Sequence, residues 1–309
     1  MILIADSGAT KTDWLLTDNH VSFLIKTQGI NPFHQNEEKI EAIINDELIP
    51  QLMSYSKGSN ELNDESTPSE NAGRRNNKRI QAESECTNQI TSVYFYGAGC
   101  LATHIGGISI SLNKHFSQAD IHINTDLLGA ARALCGHKPG IACILGTGAN
   151  SCLYDGQQIQ KNISPLGYIL GDEGSGAYLG KRFVSDCFKE QLPTFLRDGM
   201  LKEFNLTYTD IINKVYKEPQ ANRFLASLTP YIYKQKEVPE VHNLLIDCFE
   251  TFFRRNVLPY HSDLPVAFTG SISWYFQEEV KEAAKNLGLT TASFIKNPIE
   301  GMAVYHEIN

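Results

Sequence analysis

The chain lacks what would place it in a membrane, on nucleic acid or in an oxidising compartment. No stretch approaches the run of about 18 apolar residues that a membrane helix needs. No basic n-region or cleavable apolar segment precedes the first strand-like run, so a cytoplasmic protein with no membrane partner is expected. Positive charge is in deficit, with 27 Lys and Arg against 35 Asp and Glu and a net charge of -8. A nucleic-acid partner is therefore not expected, because such binders carry basic patches. The seven cysteines, Cys86, Cys100, Cys135, Cys143, Cys152, Cys187 and Cys248, contain no C-x-x-C pair. They read as reduced, mostly buried thiols rather than disulfides, a zinc site or an iron–sulfur cluster. There is no G-x-G-x-x-G, hence no dinucleotide fingerprint. The stretch Gly174 to Arg182 resembles a phosphate-binding P-loop but fails as one. Its first glycine is one residue too far away, and Arg182 stands where Ser or Thr must reach magnesium.

What is present is a globular composition, 42% apolar and 20% charged over 309 residues. That length supports two domains with full cores. The opening is the most informative stretch. A short apolar run ends at Asp6, the turn Ser7-Gly8-Ala9-Thr10-Lys11-Thr12 follows, and a second strand-like run leaves it. Successive N–H groups in such a turn can form an anion-binding nest. Thr10 and Thr12 add hydroxyl donors, Lys11 adds positive charge, and Asp6 stands where it could hold a cation or a metal-bound water. An ordinary hairpin turn would look the same at this point.

Alternation and helical spacing divide the rest. Residues 1–6, 12–18 and 21–27 read as a three-stranded meander, 35–54 as a helix and 92–97 as a buried strand. A second series follows, with a short strand at 121–124, a helix at 127–135 and a meander over 141–145, 150–154 and 157–160. Helices dominate 173–259. Residues 264–269 and 291–295 read as strands, and 272–287 and 299–308 as helices. Residues 56–89, polar and nearly free of large apolar side chains, read as a flexible surface insertion that cannot offset its ordering entropy. Its Arg74-Arg75 and Lys78-Arg79 sit among acids and read as a solvated loop.

The turn chemistry repeats. Leu145-Gly146-Thr147-Gly148-Ala149-Asn150-Ser151 is again apolar strand, Gly/Thr turn and strand, about half the chain away. Chance likeness of two hairpins is the competing reading. Asn124-Thr125-Asp126 lies at a strand end opening a helix, where an aspartate is often only an N-cap. Gly171-Asp172-Glu173-Gly174-Ser175-Gly176 precedes another helix. Its glycines would let backbone approach a ligand, and its acids would accept hydrogen bonds from hydroxyls. Acidic N-capping explains the same acids without a ligand.

Taken together, these motifs resemble the BadF/BadG-type ATPase family, within the actin, heat-shock ATPase and sugar-kinase superfamily. The likeness is strongest to the N-acetylglucosamine kinases. The first turn is similar to that superfamily's first phosphate motif and residues 145–151 to its second. Thr269-Gly270-Ser271 is similar to the glycine turn against which adenosine lies. Gly171 to Ser175 is similar to the G-D-E-G-S signature of the N-acetylhexosamine kinases.

The resemblance implies an α/β fold of two duplicated ribonuclease H-like (actin-like ATPase) domains facing a central cleft. They would cover 1–119 and 120–297, with the helix at 298–309 packing back on the first. Domain closure would expel water and assemble the site. The resemblance also implies an ATP-dependent kinase acting on the 6-hydroxyl of an amino sugar. Asp126 would be the catalytic base. Gly8, Ala9, Thr10, Lys11 and Thr12, with Gly146, Thr147 and Gly148, would bind the ATP phosphates. Gly270 and Ser271 would meet adenosine, and Asn31, Asp172 and Glu173 the sugar. Asp6 would hold Mg2+ through water. Asn31 before Pro32 also reads as a plain turn residue. The Glu300-Gly301-Met302-Ala303 segment opens the last helix in the family's manner.

Two departures bear on the substrate. Pro165-Leu166 precede Gly167 where a tryptophan is usual, and Pro32-Phe33 follow Asn31. N-acetylglucosamine, N-acetylmuramic acid and glucosamine all stay open as substrates. Family members are often dimers, so a homodimer is compatible with the resemblance. An ATPase activator of a dehydratase or reductase system is the alternative enzyme. It is disfavoured by the absence of paired cysteines and by the G-D-E-G-S match. A non-catalytic nucleotide- or sugar-sensing protein of the same fold is the third reading. Its relatives carry an added DNA-binding domain, for which the start of this chain leaves no room.

Overall fold

The computed structural model describes the chain apart from residues 9, 19–21, 61–85, 102, 308 and 309. Ala9 of the first turn and most of the segment set apart at 56–89 therefore lie outside the described residues. The helix Ile49–Asn60 runs into that segment from its N-terminal side.

The chain forms two compact units, Met1–Gly129 with Ile299–Asn309, and Ala130–Pro298. The first is built on a sheet of β1 (Ile2–Ser7), β2 (Lys11–Thr17), β3 (Ser22–Gln28), β4 (Ser92–Gly97) and β5 (Asp120–Thr125), in the order β3-β2-β1-β4-β5. The second has β6 (Gly140–Leu145), β7 (Ala149–Tyr154), β8 (Ile159–Asn162), β9 (Val266–Thr269) and β10 (Thr291–Ile295), in the order β10-β9-β6-β7-β8. Read from the meander end, the two orders are identical. In each sheet three antiparallel strands come first, and the fourth and fifth strands then pair in parallel on the far side of the first. This is the duplicated ribonuclease H-like, actin-like ATPase architecture. β1 and β6 are central in their sheets and read as near-continuous apolar runs, as strands covered on both faces must.

β5 pairs with β4 over six residues, Ser92↔Asp120 to Gly97↔Thr125, and so belongs to the first sheet. The boundary expected between residues 119 and 120 lies ahead of a strand that the first unit owns. The units instead divide within the helix Asp126–Cys135. In the first unit that helix approaches closely: a Cβ on Gly129 would lie 2.5 Å from Met302 Cε and 2.8 Å from Tyr96 Cγ. The last helix, Ile299–Glu307, is fixed to the same sheet. Thr17 Oγ1 donates to Glu307 Oε1 at 2.7 Å, and Tyr96 Oη meets His306 Nε2 at 2.7 Å.

Local chemistry sets several boundaries. Asn36 caps the helix Glu37–Ile43 by accepting from Lys39 N, so the helix starts two residues later than its apolar spacing indicates. It continues through a π-helical turn, Ile44–Leu48, into Ile49–Asn60. The helix predicted at 272–287 is two helices, Ser271–Tyr275 and Gln277–Asn286, separated at the buried Phe276. The helix Gly106–His115 has no counterpart in the sequence reading. Its two glycines and Ile-Ser-Ile-Ser alternation carry the period of a strand.

Candidate active site

In the first unit, Asp6 sits on β1 directly opposite Asp13 on β2, so both side chains share one face of the sheet. Ser7 and Thr12 are the next pair and point to the other face. Both are fully buried, and their hydroxyls lie 2.6 Å apart. Ser7 Oγ donates to Ile30 O, and the Ile30 N–H reaches Ser7 Oγ at 3.0 Å and Thr12 Oγ1 at 3.2 Å. The Thr12 hydroxyl therefore clamps β1, β2 and the segment after β3 together. Its described partners all lie within the first unit. The Gly8 N–H is likewise spent, donating to Lys11 O at 3.0 Å to close the turn. Thr10 and Lys11 stay exposed, and Lys11 Nζ is paired with Asp13 Oδ2 at 2.5 Å.

Asp126 begins the helix that follows β5. Its Oδ1 accepts the Leu127 N–H at 2.9 Å, while Thr125 Oγ1 accepts from Leu128 N at 3.3 Å in the manner of a cap. Burial pushes the Asp126 carboxyl above the usual carboxylate range, against the pull of backbone N–H groups. Asp6 is raised to about 7, first by burial and then by the charges of Asp126 and Asp13, with Lys11 opposing. The three carboxylates are thus electrostatically coupled within one unit.

Asn31 forms the Asx turn expected of an asparagine before proline: its Oδ1 accepts from Phe33 N at 3.0 Å, and its N–H donates to Gln35 Oε1 at 2.9 Å. Gly99, at φ +79°, lies so close that any Cβ there would strike Asn31 Oδ1. The Asn31 carbonyl is therefore fixed, and its Nδ2 donates to no described residue.

In the second unit, the turn Gly146-Thr147-Gly148 joins β6 to β7. Gly146 N donates to Gly148 O at 2.9 Å. The first N–H groups of the helix Gly176–Phe188 donate back to it, Gly176 N to Gly146 O and Ala177 N to Thr147 O. The N–H groups of Thr147 and Gly148 are left without an acceptor among the described residues, and successive N–H groups in a turn can bind an anion.

Asp172 lies against this turn in a left-handed conformation, φ +54°. Its Oδ1 accepts Ala149 N at 3.4 Å, and its pKa is raised, chiefly by burial, with Glu173 adding to the rise. Neither acid caps the helix. Ser175 does, accepting from Tyr178 N at 3.1 Å. Both oxygens of Glu173 are taken, Oε1 by Arg255 Nε at 2.5 Å and Oε2 by Asn256 Nδ2 at 3.2 Å. The two contacts brace this loop from within the second unit. Arg255 and Asn256 belong to a π-helical turn, Phe253–Val257. Such turns are frequent at functional sites.

Gly270 ends β9 at φ +110°, where a Cβ would strike the Leu145 carbonyl oxygen. Its own carbonyl accepts from Trp274 N and Ser273 Oγ, and Ser271 is exposed at the start of the short helix.

Sequence reasoning missed Asp13, Arg255 and Asn256. Asp13 carried a signal, being a charged residue beside the strand run Trp14-Leu15-Leu16. Arg255 and Asn256 carried none, because 83 residues separate Asn256 from Glu173. Among the described residues no group of three or more His, Cys, Asp or Glu side chains is set to hold a metal by itself, and no helix is long and apolar enough to cross a membrane.

No family model matches the chain, and no curated protein matches it. Solved structures do. One is the "Putative N-acetylglucosamine Kinase" of Porphyromonas gingivalis, 41% identical over 100% of this chain and 99% of that one, with a TM-score of 0.86. A protein of the same name from Chromobacterium violaceum is 16% identical over 99% of each chain, with a TM-score of 0.66, and shares the fold. With two sheets of one order, an aspartate after the fifth strand and a glycine turn after the sixth, the chain belongs to the N-acetylglucosamine kinase-like branch of the BadF/BadG-type ATPase family.

Proposed function

We propose that the protein is an ATP-dependent sugar kinase that transfers the γ-phosphate to the 6-hydroxyl of an amino sugar, N-acetylglucosamine or a close relative such as N-acetylmuramic acid or glucosamine. The observation that carries this reading is Asp126, a part-buried carboxylate opening a helix, with its pKa raised by desolvation. A general base works best when its pKa approaches the working pH, and burial moves Asp126 that way. The name borne by the 41%-identical relative supports the sugar as acceptor.

In this reading Asp126 takes the proton of the 6-hydroxyl as that oxygen bonds to the γ-phosphorus. The bond from phosphorus to the β–γ bridging oxygen breaks, and ADP leaves with the electron pair. Phosphoryl transfer asks the protein mainly for positioning and charge stabilisation. In the second unit the N–H groups of Thr147 and Gly148 serve phosphate oxygens, and Gly270 with Ser271 serves adenosine. In the first unit Thr10 and Lys11 serve phosphate, with Gly8 shaping their turn. Asn31 presents its Nδ2 to the sugar, and Asp172 offers a carboxylate. Glu173 acts only by bracing that loop. A divalent cation would sit beside Asp6, where the charges of Asp126 and Asp13 add to its own and Lys11 opposes them. Mg2+ there would neutralise phosphate charge, and Asp6 would orient its water shell.

The test is ADP release by the purified protein given ATP, Mg2+ and a panel of hexosamines. Turnover with one or more amino sugars is expected. Bound ATP without turnover on any sugar would favour a nucleotide-sensing protein of this fold.

A further inference from the structure

We infer that Asp13 is a second carboxylate, beside Asp6, for the divalent cation that accompanies the nucleotide. The inference rests on the nucleotide end of the proposed function and not on the identity of the sugar. Asp13 is 3% exposed, yet its Oδ1 has no hydrogen-bond partner among the described residues. Buried charges are ordinarily paired or bound to metal, because an unpartnered one keeps its full desolvation penalty.

Position gives that orphan atom its direction. Asp13 faces Asp6 across the β1–β2 ladder, on the same side of the sheet. Its other oxygen holds Lys11 Nζ, on a side chain 54% exposed to solvent. Among the described residues Lys11 is the cation that acts on Asp6, while Asp13 and Asp126 both act on it as anions. Counted as ionised, these three carboxylates exceed the one ammonium by two charges, the charge of one divalent cation.

Two protein carboxylates suit the ion class. Mg2+ keeps several waters and is commonly held by one or two carboxylates with substrate phosphates, not by an all-protein cage. That agrees with the lack of any three-ligand group among the described residues. Lys11 then has two stations. It neutralises Asp13 before the cation is present and is released toward phosphate when the cation takes its place. The alternative is a plain ion pair that stiffens the hairpin, with Asp13 never meeting a metal.

Mn2+ is the probe, its free fraction read by electron paramagnetic resonance, on the full-length protein with and without ADP and with no sugar present. Asp13→Asn is expected to weaken Mn2+ binding by about 10-fold or more without weakening ADP binding in EDTA, since the freed Lys11 stays available to phosphate. Lys11→Met without nucleotide is expected to bind Mn2+ more tightly than wild type, because the competing ammonium is gone. Wild-type Mn2+ affinity in Asp13→Asn would overturn the inference and leave the ion pair. If Asp13→Asn does not fold, Lys11→Met decides: unchanged Mn2+ affinity overturns the inference, and tighter binding supports it. Because no sugar is used, failure of the sugar panel would leave this result standing, and failure here would leave the kinase reading standing.

Discussion

Asp172 lies against Gly148. A methyl group on Gly148 would come 3.0 Å from Asp172 Oδ2, and Asp172 Oδ1 accepts the N–H of Ala149, the next residue. The carboxylate is therefore part of the wall of the second glycine turn as well as of the G-D-E-G-S loop. Gly148→Ala is expected to displace Asp172 and the turn together, because a 3.0 Å approach forces a neighbour to move. Catalytic efficiency should fall by about 10²-fold, the scale of a misplaced site group, with little change in melting temperature. Steady-state kinetics with thermal unfolding checks this, and unaltered kinetics would show that the turn tolerates the shift.

Asp172 and Glu173 are adjacent but should respond differently. Glu173 spends both oxygens on Arg255 and Asn256, whereas Asp172 Oδ2 takes no hydrogen bond from the described residues. Asp172→Asn is expected to raise the sugar KM or lower kcat by at least about 10-fold, since a ligand hydroxyl loses its charged acceptor. Glu173→Gln should chiefly lower thermal stability, because the Arg255 ion pair is lost. The expectation fails if Glu173→Gln raises the sugar KM as much as Asp172→Asn does.

The Asp6 carboxyl is raised from 3.8 to about 7 by burial and by Asp126 and Asp13. Between those values the folded protein holds a proton that the unfolded chain releases. Without metal, the contribution of Asp6 to stability therefore falls as pH rises from about 4 to about 7. Asp6→Asn removes this contribution. Melting curves in EDTA should show the mutant gaining on wild type across that window, and a constant offset at every pH would contradict it. Added Mg2+ should restore the wild type at pH 7 and above by binding the ionised form.

Gly180 sits in the helix Gly176–Phe188 where a Cβ would strike the Leu225 carbonyl oxygen. A backbone atom of a packed helix cannot step aside as a flexible side chain can. Gly180→Ala is expected to cost about 1–3 kcal/mol, the usual range for overpacking. Chemical denaturation reads this directly, and the KM values for ATP and sugar should be unchanged.

Much of this architecture was legible in the chain. The two meanders announce themselves by strand-length apolar runs broken by glycine turns, and residues 92–97 and 291–295 match β4 and β10. Both turns and Asp126 lie at strand ends, where local sequence and fold agree. Long-range pairing was hidden. Nothing local shows that Glu173 is braced from residues 255 and 256, or that Thr12 spends its hydroxyl on Ser7 and Ile30. The helix Gly106–His115 was hidden for the opposite reason, since its local pattern is that of a strand and packing in the first core decides its form.

The most direct test of the account is product analysis by 31P NMR after incubating the protein with ATP, Mg2+ and each amino sugar, beside Asp126→Asn. Wild type is expected to yield a sugar 6-phosphate from at least one amino sugar. Asp126→Asn is expected to lose about 10²–10⁴-fold in rate, with nucleotide affinity retained. A phosphate at another position, no sugar phosphate at all, or an Asp126→Asn enzyme as fast as wild type would contradict the account.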